Sequence, residues 1–315
     1  MAQPQLVDVH MHIYRTREWG QRRMAGYSIT EYGEKDDVSS TDSNGSPEEA
    51  VQDIIESGFH RAVVANMFVA DQARDFAVFN LGEELSEAER AEALAEIESS
   101  PATLLREFNG WACDLAAKHE TLAPFVAVDP DSLPGEEGAR HLRELVEGRG
   151  AKGVKVHPVL QKFEMADPRM WPIYEVCQEL NVPILSHSGP ASDGTPYAEP
   201  RAFAPVLEAF PHLKIVIAHV GGATWEQALD IARAYPNAYF DSCEVIEWTG
   251  APNAPTDEEL ARLIRDIGPG RVMMGSDYPW YGLTRSVDRI MELPILSDGE
   301  KEAMLGANAI EILGL

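Results

Sequence analysis

The first apolar run of the chain reads Leu6-Val7-Asp8-Val9-His10-Met11-His12. Its β-branched residues favour a strand, and two histidines close that strand. An open doubly wound sheet tends to carry a glycine-rich phosphate loop after its first strand, whereas here a pair of imidazoles stands at that position. The run therefore favours a closed barrel over an open nucleotide-binding sheet.

Seven further short apolar runs follow, and most are separated by segments with helical periodicity. This alternation predicts parallel strands joined by crossover helices, and eight strands match a closed (β/α)8 TIM barrel. We expect one α/β domain that spans residues 1–315. The candidate strands are Leu6–His12, Arg61–Ala70, Pro124–Asp129, Gly153–His157, Pro183–His187, Lys214–His219, Ala238–Cys243 and Arg271–Ser276.

Two connections are longer than the loops that usually join barrel elements. Residues 15–47 contain several glycines and a polar run at 39–44, which predicts a mobile flap inserted after strand 1, over the barrel mouth; a flexible linker is the alternative. Residues 71–120 include the Glu/Ala-rich stretch Glu83–Glu98, for which a solvated helix face is the simplest interpretation.

The composition narrows the class of protein. The chain has 315 residues, of which 44% are hydrophobic and 25% charged, as in soluble globular proteins. Its net charge of −26 would repel nucleic acids and anionic membranes. Three cysteines without disulfide or metal spacing, Cys113, Cys177 and Cys243, together with the absence of an export signal in residues 1–5 or a long apolar run, favour a cytoplasmic protein.

The informative histidines stand at or near the carboxyl ends of candidate strands, where barrel active sites are built. His10 and His12 are two residues apart, so a regular strand points both side chains the same way, with Asp8 one pleat deeper. Imidazoles and a carboxylate suit Zn²⁺ or Mn²⁺. The five side chains that we expect to converge on a metal are His10, His12, His187, His219 and Asp277.

Five motifs together resemble the amidohydrolase superfamily, and within it the amidohydrolase-related family that includes aminocarboxymuconate semialdehyde decarboxylase. They are Asp8-Val9-His10-Met11-His12, Gly153-Val154-Lys155-Val156-His157-Pro158, His187-Ser188-Gly189, His219-Val220-Gly221-Gly222 and Gly275-Ser276-Asp277-Tyr278-Pro279-Trp280. The resemblance covers essentially the whole chain. It implies a distorted barrel and a homo-oligomer. It also implies one divalent metal held by His10, His12, His187 and Asp277, with His219 beside the metal as an acid/base.

Lys155 leaves the number of metals open. In some members of the superfamily a lysine at the end of strand 4 is carboxylated and bridges two metals, and His219 would then bind the second ion. We place one ion first and two second. Lys155 could instead meet an anionic substrate group or pair with a buried carboxylate. His157, on the same face, is a candidate substrate contact or a structural histidine.

The donor set predicts an enzyme that activates water with a metal, with zinc as the first expectation and manganese, iron or cobalt as alternatives. Our first hypothesis is a hydrolase of a small cyclic ester, amide or related carboxylate compound, with Asp277 as the proton shuttle and His219 as the acid/base. The second is a non-oxidative decarboxylase of an aromatic or muconate-type acid, and the third a non-catalytic binding barrel.

Two groups of side chains bear on the substrate, which we expect to be small, and anionic or ring-containing. Trp280 and its neighbours Tyr278 and Tyr281 could enclose a ring, although packing at the base of the loop would explain them equally well. Arg15 and Arg17 follow His12 closely and could bind a carboxylate through a bidentate fork, although arginines lie more often on the surface.

Overall fold

A computed structural model describes residues 5–26, 29–38, 40–82 and 84–315. Four of the positions outside these ranges belong to the sequence segments discussed above: residues 27, 28 and 39 of the expected flap, and Glu83 of the Glu/Ala-rich stretch. Residues 1–4, which bear on the expected absence of an export signal, also lie outside. The strands are β1 (Leu6–Met11), β2 (Phe59–Val64), β3 (Leu122–Ala127), β4 (Gly153–Val156), β5 (Ile184–Ser186), β6 (Ile215–Ile217), β7 (Ala238–Asp241) and β8 (Val272–Met273).

The eight strands form one parallel sheet in the order in which they occur along the chain. Backbone hydrogen bonds then join β1 to β8 and the residues after it: the Val9 amide donates to Met274 O at 3.0 Å, and the Asp277 amide donates to His10 O at 2.8 Å. The sheet thereby closes on itself, and the expected (β/α)8 TIM barrel is confirmed.

Helices follow most strands and cover the outside of the barrel. They are α1 (Arg17–Ala25), α2 (Pro47–Glu56), α3 (Ala70–Phe79), α4 (Glu87–Ser99), α5 (Pro101–Ala116), α6 (Gly135–Arg149), α7 (Pro158–Gln161), α8 (Trp171–Glu179), α9 (Ala204–Ala209), α10 (Ala228–Ala234), α11 (Val245–Trp248), α12 (Asp257–Ile267), α13 (Leu283–Glu292), α14 (Asp298–Glu302) and α15 (Asn308–Leu313). The Glu/Ala-rich stretch supplies α4, which buries none of its residues and is therefore the solvated helix expected.

The bounds of all eight candidate strands differ in the structure, and the carboxyl ends of the second and eighth differ most. The second ends at Val64, not Ala70, because Asn66 replaces the ladder with side-chain bonds: its amide group accepts from Ile13 N at 2.8 Å and donates to Ile13 O at 2.7 Å. The last strand stops at Met273, and the chain then bends so that Asp277 adopts φ +60°. Both differences arise from side-chain or loop geometry that apolar patterning does not report.

The register of β1 is irregular between Asp8 and Met11. Val7 and Val9 belong to one buried cluster with Val63 and Met273, whereas Met11 packs into the other, larger cluster. The side chains of β1 therefore do not alternate regularly between the two faces of the sheet. Contrary to the expectation, Asp8 does not share a face with His10 and His12. Its carboxylate instead accepts hydrogen bonds from the Ser276 amide at 3.1 Å and the Ser276 hydroxyl.

The long segment after β1 lies against the barrel. Thr16 caps α1 by accepting a hydrogen bond from Trp19 N, and the Glu31 carboxylate accepts one from Ala223 N at 3.0 Å. Tyr32 is fully buried and stacks on Trp248 with ring centroids 5.5 Å apart. These contacts hold the described part of residues 15–47 beside the site; the mobility expected for it stays a prediction.

The remaining sequence features concern the thiols and membrane spans. Cys113, Cys177 and Cys243 are all buried and free. Within the described residues, no helix has the length and apolar character needed to cross a bilayer.

Candidate metal centre

A cavity of about 600 Å³ lies where the carboxyl ends of the strands converge. Its wall contains side chains contributed by β1 and β4 and by the residues that follow β4, β5, β6 and β8. All eight site residues expected from the sequence line it: His10, His12, Lys155, His157, His187, His219, Asp277 and Trp280. Residues as far apart as 10 and 277 therefore share one chamber.

Asp277 and the two β1 histidines form one group of mutually close donors. Two other such groups among the described residues are His10, His219, Asp241 and Cys243, and His219, Glu244 and Asp277. Asp277 Oδ1 lies 3.0 Å from His12 Nε2 and 3.7 Å from His10 Nε2, and all three donor atoms lie within 4.8 Å of one another. All three side chains are buried, yet Asp277 Oδ1 has no properly oriented hydrogen bond within the described residues. Three buried donors this close together, one of them a carboxylate oxygen without a hydrogen-bond partner, are what a divalent ion requires, so these residues fit a metal.

The backbone explains why the carboxylate reaches the histidines. The Asp277 amide donates to His10 O, and the His12 amide donates to Tyr278 O at 2.7 Å, so the residues after β8 run directly beside β1. Asp277 is held at φ +60°, a conformation that is costly for a residue with a side chain and that often marks functional sites.

The protonation states also suit a cation. Burial lowers the pKa of both His10 and His12, so that both imidazoles are neutral and keep a lone pair for a metal. Burial would raise the pKa of Asp277, but the close approach of His12 Nε2 and the neighbouring His10 and His219 outweigh it and hold that pKa below its usual value. Neutral imidazoles and an ionised carboxylate are the forms that bind metals.

Asp241, at the end of β7, orients the other side of His10. Its Oδ2 lies 3.0 Å from His10 Nδ1, and its Oδ1 accepts a hydrogen bond from the His219 amide at 2.8 Å. A carboxylate on the second ring nitrogen fixes the tautomer and leaves Nε2 for the ion. Asp8, although close to His10 in sequence, does not take this role, because its carboxylate accepts hydrogen bonds from the His10 and Ser276 amides and the Ser276 hydroxyl.

His219 sits in a strained turn directly after β6, at φ +60°. Its Nδ1 lies 3.2 Å from the carbonyl oxygen of Cys243, which can only accept, so Nδ1 carries the proton and Nε2 is the free basic atom. Nε2 faces His187 Nδ1 at 3.2 Å. His219 therefore presents Nε2 to the cavity, the position that an acid/base needs.

His187 lies beside these groups of donors and not within them. Its ring stacks on His157 with centroids 3.9 Å apart, and in the part of the chain that the structure describes it joins no group of three mutually close donors. His157 Nδ1 accepts a hydrogen bond from Leu160 N at 3.3 Å, which gives that histidine a helix-capping role. Metal ligation by His187 stays a prediction.

Lys155 is buried, and its Nζ lies 2.6 Å from His10 Nε2. Burial lowers the pKa of this amine. Lys155 forms no ion pair with any described carboxylate, which counts against the buried-pair interpretation. Its contact with His10 leaves the other interpretations open: an amine that meets substrate, or a carboxylated bridge.

A sequence profile of the amidohydrolase family matches residues 7–315. The chain belongs to the amidohydrolase family. A curated relative of this amidohydrolase, 2-amino-3-carboxymuconate-6-semialdehyde decarboxylase from Dictyostelium discoideum, is 27% identical over 209 residues. The match covers 57% of this chain and 58% of the relative, so it spans little more than half the length of either protein.

Solved structures support the fold of this amidohydrolase. 5-Carboxyvanillate decarboxylase from Sphingomonas paucimobilis superposes with a TM-score of 0.64 at 15% identity, covering 99% of this chain and 100% of that one. A dihydroxybenzoic acid decarboxylase from a Polaromonas species, solved with manganese and the inhibitor 2-nitroresorcinol, gives 0.61 at 15% identity, covering 99% and 98%. At these identities the likeness establishes a shared barrel.

Sequence reasoning missed two features of the amidohydrolase site. Asp241 was visible only as one polar residue in the seventh run, and its role depends on a contact with His10, 231 positions away. Glu31 comes from an irregular segment without periodicity and docks on Ala223. A carboxylate near a strand end was the only available signal for Asp241, and none existed for Glu31.

Proposed function

We propose that this amidohydrolase is a metal-dependent, non-oxidative decarboxylase of an aromatic or related unsaturated carboxylic acid. The observation that carries the metal chemistry is the close approach of Asp277 Oδ1, which has no hydrogen-bond partner among the described residues, to the Nε2 atoms of His10 and His12. The choice of decarboxylation over our first hypothesis, hydrolysis, is supported by relatives whose names describe decarboxylases.

His10, His12 and Asp277 would hold one divalent ion, with His187 as a proposed fourth ligand. We propose manganese ahead of zinc, because a structural neighbour was solved with manganese and because the carboxylate and imidazole donors accept either ion. When bound, the ion supplies Lewis-acid attraction for the oxygens of a carboxylated substrate. Asp241 keeps the His10 ring oriented for this role.

In the proposed reaction the protein itself donates a proton to the substrate carbon that loses CO₂. The bond between the ring carbon and the carboxylate carbon breaks, CO₂ leaves, and the electron pair stays on the ring carbon. His219 Nε2 gives a proton to that carbon, and the imidazole is then reprotonated from solvent. The carbonyl oxygen of Cys243 accepts a hydrogen bond from His219 Nδ1 and so stabilises the His219 imidazolium before it gives up its proton.

The walls favour a flat substrate. Trp280 is buried and meets the His12 ring edge-on with centroids 4.9 Å apart, while Val159 and Leu160 contribute apolar surface on the β4 side. An apolar wall beside a charged centre orients a ring and keeps water from the carbon that receives the proton.

Hydrolysis of a cyclic ester or amide is the second candidate. It is favoured by Lys155, whose Nζ contacts His10 Nε2 at the place where a carboxylated lysine could bridge a second ion. In that case Asp277 would accept the proton of the attacking water.

One experiment separates the two. Purified protein loaded with Mn²⁺ or Zn²⁺ is incubated with a panel of hydroxylated and carboxylated benzoic acids and, separately, with a panel of lactones and cyclic amides. We expect CO₂ release from the acids, loss of release on chelation, and loss in His219→Asn. Ring opening without CO₂ release by the same preparation would overturn the proposal and support hydrolysis.

A further inference from the structure

The segment that carries the proposed acid/base has an unusual backbone. All four of its residues, His219-Val220-Gly221-Gly222, have positive φ angles, of +60°, +50°, +99° and +58°. Positive φ is costly for residues with a side chain, and most of all for a β-branched residue such as Val220. We call this segment, residues 219–222, the His219 turn. Its shape has to be held by contacts with other parts of the chain.

Two carboxylates hold the ends of the His219 turn. At its beginning, the His219 amide donates a hydrogen bond to Asp241 Oδ1 at 2.8 Å. Directly after its end, the Ala223 amide donates one to Glu31 Oε1 at 3.0 Å. Asp241 belongs to β7, whereas Glu31 comes from the segment between β1 and β2, 192 positions before Ala223. The turn is therefore held at one end by the barrel and at the other by a residue outside it.

The Glu31 carboxylate fills a space that two glycines leave open. A Cβ atom at Gly222 would lie 2.5 Å from Glu31 Oε1, and a Cβ atom at Gly189 would lie 3.0 Å from both carboxylate oxygens. Gly189 comes two residues after His187, in the connection that follows β5. The carboxylate therefore lies between the two loops that carry the imidazoles of His187 and His219.

The backbone of Glu31 is anchored separately from this contact. Glu31 O accepts a hydrogen bond from Asn253 Nδ2 at 2.9 Å, and Tyr32 O accepts one from Asn253 N at 3.0 Å. The buried ring of Tyr32 stacks on Trp248. Because its backbone is already fixed, the carboxylate can hold the turn at little further cost in ordering.

We infer, on the basis of the proposed function, that Glu31 is a positioning residue for the acid/base His219. Its carboxylate accepts the amide that follows the His219 turn and occupies the space beside Gly222. It thereby keeps His219 Nδ1 on the carbonyl oxygen of Cys243 and Nε2 toward the cavity. Glu31 lines the same cavity, but this role is exerted through the turn.

Hydrogen exchange at His219 tests this role without any measurement of turnover. Zinc-loaded, ¹⁵N-histidine-labelled protein should show an imidazole N–H signal from Nδ1, which is bonded to Cys243 O and is assigned by its loss in His219→Asn. We expect Glu31→Ala to speed the exchange of this proton with water about tenfold or more, because the turn opens more often. Glu31→Gln, which keeps an acceptor of the same shape for the Ala223 amide, should exchange like wild type.

Turnover supplies a second measurement. On an acid that wild type decarboxylates, Glu31→Ala should lower kcat about tenfold or more with little change in KM, because the proton donor is displaced. Glu31→Gln should restore most of kcat. Glu34→Ala, at an exposed position of the same segment and outside the cavity wall, should match wild type in both measurements.

Thermal unfolding checks that each variant is folded. If Glu31→Ala is unfolded, Glu31→Asp replaces it and should give the same losses, because its shorter side chain draws the carboxylate back from the Ala223 amide.

The results distinguish the role of Glu31 from the proposed reaction. If Glu31→Ala speeds exchange at Nδ1 but wild type decarboxylates no acid, Glu31 positions His219 and the proposed reaction fails. If acids are decarboxylated but Glu31→Ala changes neither exchange nor kcat, the reaction stands and the inference is wrong. A loss of kcat without faster exchange would also overturn it. Equal losses in Glu31→Gln and Glu31→Ala would do the same, since the charge of Glu31 and not its hydrogen bond would then be responsible.

Discussion

Asp241 joins His10 and His219 through its two carboxylate oxygens, one 3.0 Å from His10 Nδ1 and the other accepting the His219 amide at 2.8 Å. One fully buried carboxylate thus sets the orientation of the His10 imidazole and the position of His219. The two roles proposed for the centre depend on each other through this side chain.

Replacing this carboxylate should weaken metal binding more than it changes the fold. We expect Asp241→Asn to lower metal affinity about 10–100-fold, because an amide is a poorer partner for the His10 ring. Competition with a chelator measures the affinity, and excess metal should restore part of the activity. Asp266→Asn, at an exposed position of α12, should bind metal like wild type. If Asp241→Asn binds metal as tightly as wild type, Asp241 does not orient His10 for metal binding.

Asp277→Asn should abolish most turnover. The substitution keeps the shape of the side chain but removes the charge that faces both β1 histidines, and we expect kcat to fall about 100-fold or more. Asp288→Asn, exposed on α13, is the matched control and should keep normal kcat. Circular dichroism checks the fold. Near-normal turnover by Asp277→Asn would show that the carboxylate is not part of the reactive centre.

Metal content tests the role of Lys155. We expect a single ion per chain in wild type and in Lys155→Met, measured by plasma mass spectrometry of dialysed protein. We also expect no carbamate signal in ¹³C NMR after supply of ¹³C-bicarbonate. Two ions in wild type, with loss of one in the variant, would instead establish a carboxylated lysine and strengthen the hydrolase alternative.

Gly222 has no room for a side chain. It adopts φ +58°, and a Cβ atom there would lie 2.5 Å from Glu31 Oε1 and 2.8 Å from Ser188 O. We expect Gly222→Ala to lower the free energy of unfolding by about 1–3 kcal/mol, measured in urea. Gly148→Ala, where a Cβ meets nothing within 4 Å, should raise it by about 0.5–1 kcal/mol. If Gly222→Ala leaves the free energy of unfolding unchanged, the segment that carries Glu31 can move aside to make room for the methyl group.

The buried thiols should be unreactive in the folded protein. Burial raises the pKa of Cys113 from 9.0 to about 11, although Arg149 opposes the shift. The reactive thiolate is therefore about 100-fold scarcer at pH 8 than for an exposed thiol, and its amount should rise about tenfold per pH unit up to pH 11. Labelling with Ellman's reagent measures this, and urea should make all three cysteines react. Rapid labelling of native protein at pH 8 would contradict the burial.

The barrel was predictable because its signals are local. Each strand is marked by a few apolar residues. His12 and His187 directly follow strands, and His219 and Asp277 come two and four residues after theirs, where barrels place their chemistry. The irregular register of β1 was not predictable, since it depends on Ser276, which bonds Asp8 across the closed sheet.

The candidate site was predictable in membership and not in detail. All eight expected residues line one cavity, yet the partner of His10 proved to be Asp241, and His187 lies against His157 and His219. Which donors approach within a few ångströms depends on side-chain torsions and long-range packing, and a single sequence carries neither.

The backbone hydrogen bond from the Asp277 amide to His10 O joins two residues that are far apart in the sequence. During synthesis a ribosome must extrude residue 277 before His10 and His12 can meet their carboxylate partner. His10 and His12 are therefore synthesised long before the carboxylate that they approach, and the proposed cation site forms only after residue 277 has been made.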